Sequence, residues 1–99
     1  MNISTSRADG VATLRIAGEL DALTVPSIRP SLDALVAERQ SRIIVDLSGL
    51  RLIDSTGVGK LVCLYKKAKE YGGVVTVHGL RDQPAAVFKL LHLDRVLQA

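Results

Sequence analysis

Hydrophobic and polar residues alternate along Thr13-Leu14-Arg15-Ile16-Ala17-Gly18, the period-two signature of a half-buried strand. Asp9-Gly10 just before it is a strong two-residue turn signal, so residues 2–20 predict a hairpin whose second strand is left through Gly18-Glu19-Leu20-Asp21. The period then changes. Val25, Ile28, Leu32, Leu35 and Val36 recur at spacings of three and four, giving a helix with one apolar face. Thr24 suits its N-cap and Pro26 its first turn, whereas Pro30 removes a ladder donor and predicts a kink or a delayed start near 27–30. The helix should run out near Arg39-Gln40.

Residues 42–47 are almost continuously apolar, which predicts a third strand buried on both faces, with Asp46 toward its end. A short loop, 48–52, leads to a second helix over about 56–71. Its apolar stripe is Val58, Leu61, Val62, Tyr65 and Ala68, and about 100° per residue places Lys60, Cys63 and Lys67 on the opposite face. Gly72-Gly73 ends it. Residues 74–78 form a fourth strand; Asp82 is placed to cap a third helix, with Pro84 in its first turn and Val87, Leu90 and Leu91 as its buried edge. The tail, 93–97, is expected to add a short edge strand. The order β-β-α-β-α-β-α implies an α/β fold with a mixed, mostly parallel sheet of four to five strands and three helices. In such sheets ligands and partners meet the carboxyl ends of the strands.

Composition narrows the class. Ninety-nine residues, 47% of them apolar, make one domain over 1–99. The absence of Trp and the scarcity of aromatic residues leave no base-stacking platform, so no direct nucleic-acid contact is expected. Thirteen Lys+Arg stand against ten Asp+Glu, and the local group Lys66, Lys67 and Lys69 reads as a solvated helix face. A single cysteine, Cys63, forms no internal disulfide, which fits a reducing compartment. With no signal-peptide pattern and no apolar run near the roughly 20 residues of a membrane span, the chain is expected to be cytoplasmic and not inserted in a membrane.

The chemistry concentrates in Asp54-Ser55-Thr56-Gly57-Val58-Gly59-Lys60, at a strand-to-helix junction. A phosphate-binding loop would need glycine at 54 and a hydroxyl residue at 61, where the chain has Asp54 and Leu61. A serine hydrolase would need Gly-x-Ser-x-Gly around Ser55 and a nearby base, and neither His78 nor His92 is placed to serve. Those two histidines and Cys63 have no metal-ligand spacing. No catalytic residue, metal or cofactor is therefore assigned, and the chain is not read as an enzyme. A helix cap explains one of Asp54, Ser55 and Thr56. It does not explain the glycines, which lower helix propensity and let another protein approach closely.

These landmarks resemble a known family. Asp54-Ser55-Thr56-Gly57-Val58-Gly59 after Ile44-Val45-Asp46-Leu47-Ser48, with Gly18-Glu19-Leu20-Asp21 at the end of the second strand and Gly72-Gly73 before an apolar strand, is similar to the signature of STAS domains, especially bacterial anti-sigma factor antagonists. The resemblance implies an anti-sigma factor with serine/threonine kinase activity as partner, bound by the unphosphorylated chain and released by phosphorylation. The matching position is Ser55, with Thr56 the alternative, and a phosphatase would reset it. It also implies a partner surface over Asp21, Asp54, Ser55, Thr56, Gly57, Val58 and Gly59, extending to Lys60 and Cys63 along the helix. A different reading of the same family is a non-phosphorylated STAS subunit of an ABC transporter or sensory assembly. The family commonly continues past the third helix with a further strand and helix, so a reduced C-terminal edge is expected here.

Overall fold

The computed structural model describes residues 1–98. Strand β1 (Asn2–Ala8) turns at Asp9 and Gly10, both at positive φ, into β2 (Val11–Leu20). The two pair antiparallel from Asn2↔Ala17 to Ala8↔Val11. Helix α1 (Val25–Ala37) carries the chain to β3 (Arg42–Asp46), which lies parallel to the first half of β2. Helix α2 (Ser55–Glu70) makes the next crossover, to β5 (Val74–His78), parallel to β3. Helix α3 (Asp82–Leu90) and a single turn, α4 (Leu93–Val96), complete the described chain.

The segment expected to be a loop before α2 contains a strand instead. Residues Leu50–Ile53 form β4, parallel to the second half of β2 through Gly18↔Leu50, Glu19↔Leu52 and Leu20↔Ile53. The reason is one of length. β2 has ten residues and β3 only five, so the far end of β2 would leave its backbone groups unpaired unless a second strand followed β3. The ladder passes from β3 to β4 between Arg15 and Gly18, and the β2–β4 register then shifts between Gly18 and Glu19. Gly18 has φ 101, and its N–H donates to the Gly49 carbonyl at 2.9 Å.

Residues of one parity build the core: Ala12, Leu14 and Ile16 of β2, Ile43 and Val45 of β3, Val75 and Val77 of β5. Against them pack Ile28, Leu32 and Leu35 of α1 and Val58, Leu61, Leu64 and Ala68 of α2. The other face is largely open: Ser4, Ser6 and Arg15 are exposed and Ile44 is only half-buried, while Thr76 of β5 beside it is buried. The expectation that β3 is buried on both faces is thus corrected. Its apolar run reads as two-sided because β-branched residues are favoured in strands whichever way they point.

Further corrections concern ends and phases. α1 begins at Val25 and continues through Pro30, which is exposed, so the start is not delayed. Pro30 has no N–H to donate to the carbonyl of Pro26, and both residues lie on the exposed side of the first turns, so no buried carbonyl is orphaned. In α2, Leu64 is buried, whereas Val62 and Tyr65 are only partly so. The N-cap of α3 is Arg81, and Asp82 is its first helical residue, with no side-chain capping bond. That helix buries Pro84 and Phe88, whereas Leu90 is 78% exposed and Leu91 50%. Phe88, the chain's one phenylalanine, outcompetes them for the core. The tail forms α4 rather than a strand, although the Leu97 carbonyl accepts from Val77 N–H at the edge of β5.

Candidate functional site

Asp54 is the hinge of the site. Its backbone is extended (φ −110, ψ −177), and it stands at the N-cap of α2. Oδ1 accepts the Gly57 N–H at 2.9 Å, satisfying one of the donors that a helix start leaves unpaired. Oδ2 reaches the other way, accepting the N–H of Ala22 at 3.1 Å. The Asp54 N–H itself donates to the Leu20 carbonyl at 3.2 Å. One residue therefore ties the end of β4, the start of α2 and the loop after β2.

That loop is internally fixed. Asp21 Oδ1 accepts from Leu23 N–H and Thr24 N–H, each at 3.0 Å. Thr24 Oγ1 accepts from Asp21 N–H and donates to the Glu19 carbonyl, both at 2.9 Å. Thr24 holds the N-cap position of α1, but its hydroxyl closes this turn and makes no capping bond to the helix.

Ser55 and Thr56 are exposed on the first turn of α2. Their N–H groups precede the first intrahelical bond, from Val58 N–H to the Asp54 carbonyl at 2.9 Å, and the positive end of the helix dipole lies here. The two glycines differ in kind. A Cβ on Gly57 would lie 2.5 Å from the Leu20 carbonyl oxygen and 2.9 Å from Ile53 Cγ1, so only glycine lets α2 meet β2 and β4 this closely. A Cβ on Gly59 would meet nothing within 4 Å. The fold does not require glycine at 59.

The structure brings together Asp21, Asp54, Ser55, Thr56 and Gly57, with Gly59 one turn on. It separates the remainder of the expected surface. Val58 is buried in the core. Lys60 and Cys63 are half-buried and line a narrow cleft against α1, with Leu32, Asp33 and Val36 across it, so they do not face outward as the helical wheel implied. Ala22, Leu23 and Gln83 were not anticipated. The Gln83 side chain accepts from Ile53 N–H and donates to the Ile53 carbonyl, each at 2.9 Å, although 30 residues separate the two. No motif or spacing marks such a pair. Among the described residues no group of three or more His, Cys, Asp and Glu side chains could hold a metal ion, and no helix is long and apolar enough to cross a membrane.

An extended acid caps a helix at the end of a parallel strand, beside exposed hydroxyls and a hydrogen-bonded turn, so the site is an open surface rather than an enclosed cavity. Residues 3–98 match the family described as "Mlab, STAS domain", and the chain belongs to that family. It is similar to the anti-sigma F factor antagonist of Paenibacillus polymyxa, 30% identical over 99 residues covering 92% of this chain and 84% of the relative. It is also similar to the anti-sigma-B factor antagonist of Staphylococcus aureus, 28% identical over 97 residues covering 98% of this chain and 90% of the relative. The crystal structure of an anti-sigma factor antagonist from Mycobacterium paratuberculosis superposes with a TM-score of 0.82 at 27% identity, covering 97% of this chain and 81% of that one. The unphosphorylated form of SpoIIAA has a TM-score of 0.73 at 20% identity, with 96% and 97% covered, a likeness of fold.

Proposed function

We propose that the chain is an anti-sigma factor antagonist that captures an anti-sigma factor with serine kinase activity while unphosphorylated, and lets go when Ser55 is phosphorylated. The observation that carries this reading is Ser55 itself, exposed at the first position of α2 beside the Asp54 cap. Relatives named as antagonists of anti-sigma factors support the class of partner.

The geometry suits a switch that leaves the fold alone. Phosphate adds about −1.5 to −2 charges and three acceptor oxygens. At a helix N-terminus it meets free N–H groups and a favourable dipole, so the domain tolerates it. A protein packed over the same turn meets a new anion beside the Asp54 carboxylate, and every ~1.4 kcal/mol of repulsion and desolvation weakens binding tenfold. The partner supplies the nucleotide and performs the chemistry; this chain supplies the hydroxyl. A phosphatase returns it to the binding form.

Incubation with a purified candidate kinase and ATP, followed by mass spectrometry, tests the site. Phosphate is expected on Ser55, none on Ser55→Ala, and weaker kinase binding by Ser55→Asp. Full modification of Ser55→Ala would move the site elsewhere, with Thr56 the first residue to inspect. Stable assembly with a transporter ATPase, without phosphorylation, would instead support the STAS-subunit reading.

A further inference from the structure

We propose that Leu23 is the apolar anchor by which this chain seats on its kinase partner, and that the Asp21–Thr24 turn serves to hold it beside Ser55. The inference rests on the function proposed above and names a contact within that interface. Leu23 is 89% exposed, more than any other large hydrophobic residue among those described. A lone exposed leucine is ordinary. This one is distinguished by how it is held.

Its own N–H donates to Asp21 Oδ1 at 3.0 Å, and the next N–H, of Thr24, donates to the same oxygen at 3.0 Å. The preceding N–H, of Ala22, donates to Asp54 Oδ2 at 3.1 Å. Three consecutive N–H groups are thus pinned by two carboxylates, one of them the cap next to Ser55. Loop tips with exposed side chains ordinarily lose freedom when a partner covers them, which weakens binding. Here the turn is ordered in advance.

Its place is equally specific. Leu23 and Ser55 each lie one residue from the two ends of the Ala22–Asp54 hydrogen bond. A face of about 800 Å² per partner, the usual size of a specific interface, takes in both when centred on Ser55. A kinase that brings its nucleotide to the Ser55 hydroxyl therefore covers this turn. Asp54 already accepts N–H donors on both oxygens and Asp21 on Oδ1, so burial leaves Asp21 Oδ2 as the one carboxylate oxygen for the partner to serve. The matching surface is an apolar recess at the rim of the kinase's nucleotide site. Rigid leucine insertion into such a recess is worth on the order of tenfold in affinity or more.

The test uses the purified kinase that binds the wild-type chain, and compares Leu23→Ser, Leu23→Met and Leu90→Ser. Leu90 is a second highly exposed leucine, 78% accessible, on α3. Leu23→Ser is expected to bind at least about tenfold more weakly and to raise KM for the chain as substrate with kcat unchanged, as loss of uniform binding requires. Leu23→Met should retain affinity, Leu90→Ser should match wild type, and thermal melts should coincide because neither leucine is in the core. Equal affinity of Leu23→Ser and wild type overturns the anchor while leaving phosphorylation of Ser55 intact. Loss of binding in Leu23→Ser together with a phosphosite other than Ser55 keeps the anchor and rejects the switch.

Discussion

The side-chain amide of Gln83 hydrogen-bonds both the N–H and the carbonyl of Ile53, each at 2.9 Å. It occupies the place that the backbone of another strand would take on the outer edge of β4. A glutamine from α3 thus closes a sheet edge that would otherwise be open to pairing. Because Ile53 immediately precedes Asp54, the same contact fixes the strand end from which the candidate site is hung.

Gln83→Ala should therefore be felt at the site as well as in the fold. Two hydrogen bonds to a partly buried backbone are lost, with a destabilisation of about 1–3 kcal/mol. Urea unfolding measures it. Gln83→Glu separates the two halves of the contact: the carboxylate still accepts from Ile53 N–H but offers the Ile53 carbonyl no donor. It should fall between wild type and alanine. A Gln83→Ala protein as stable as wild type would show that the pair contributes nothing to holding β4.

The two glycines of the motif make opposite predictions. In Gly57→Ala the new methyl group would sit 2.5 Å from the Leu20 carbonyl oxygen, which forces α2 away from the sheet. Overpacking of this kind costs about 1–3 kcal/mol. Gly59→Ala meets nothing within 4 Å and replaces the poorer helix former with the best one, so stability should rise by up to about 1 kcal/mol. If position 59 is kept small for close approach, the same substitution weakens partner binding. Paired thermal melts and affinity measurements on the two variants check both signs.

How much of this was legible beforehand depended on the range of the interaction. β2, α1, α2 and β5 announce themselves through local period, and the strand-to-helix junction at Asp54 through its acid, hydroxyls and glycines. β4 does not. In Leu50-Arg51-Leu52-Ile53 the buried residues are the first and last, so no alternation shows, and the strand exists only because β2 is long enough to need it. Leu90 and Leu91 suggested a buried edge for α3, but its phase is set by Phe88 entering the core. The helical wheel put Lys60 and Cys63 on the face away from the expected apolar stripe, but Leu64 joins the buried stripe and α1 packs beside Lys60 and Cys63, which local period does not record. Gln83 and Ala22 act on residues about thirty positions away, where periodicity is silent.

Acid should act on the end of β3. The Ser48 N–H donates to Asp46 Oδ1 at 3.0 Å and, with Arg15 and His78 nearby, holds the Asp46 carboxyl below the ordinary carboxylate range. A depressed folded-state pKa stabilises the fold above the unfolded value, about 3.9, and that stability is lost as pH falls through the folded value. Asp46→Asn should therefore be less stable than wild type at neutral pH, with the gap closing in strong acid. Denaturant midpoints taken across acid pH would show it, and a gap that does not change with pH would rule out the titration of Asp46 as its source.

Asp54→Asn tests the hinge without removing the cap. Aspartate receives N–H donors on both oxygens, from Gly57 at 2.9 Å and from Ala22 at 3.1 Å. Asparagine has one oxygen and one NH₂ group, so one of those donors must face another donor. Asparagine caps helices about as well as aspartate, so the oxygen should turn to Gly57 and the NH₂ group toward Ala22. The helix then persists while the Ala22–Leu23 turn loses its tether, at about 0.5–1.5 kcal/mol because Ala22 is exposed and water replaces the carboxylate. Amide hydrogen exchange resolves the two ends separately: protection at Ala22 should fall and protection at Gly57 should remain. Asp54→Ala should lose both, with a cap penalty of roughly 0.5–2 kcal/mol. Preserved protection at Ala22 in Asp54→Asn would mean that the turn stands on Asp21 and Thr24 alone, and that Asp54 does not couple it to the start of α2 at Ser55.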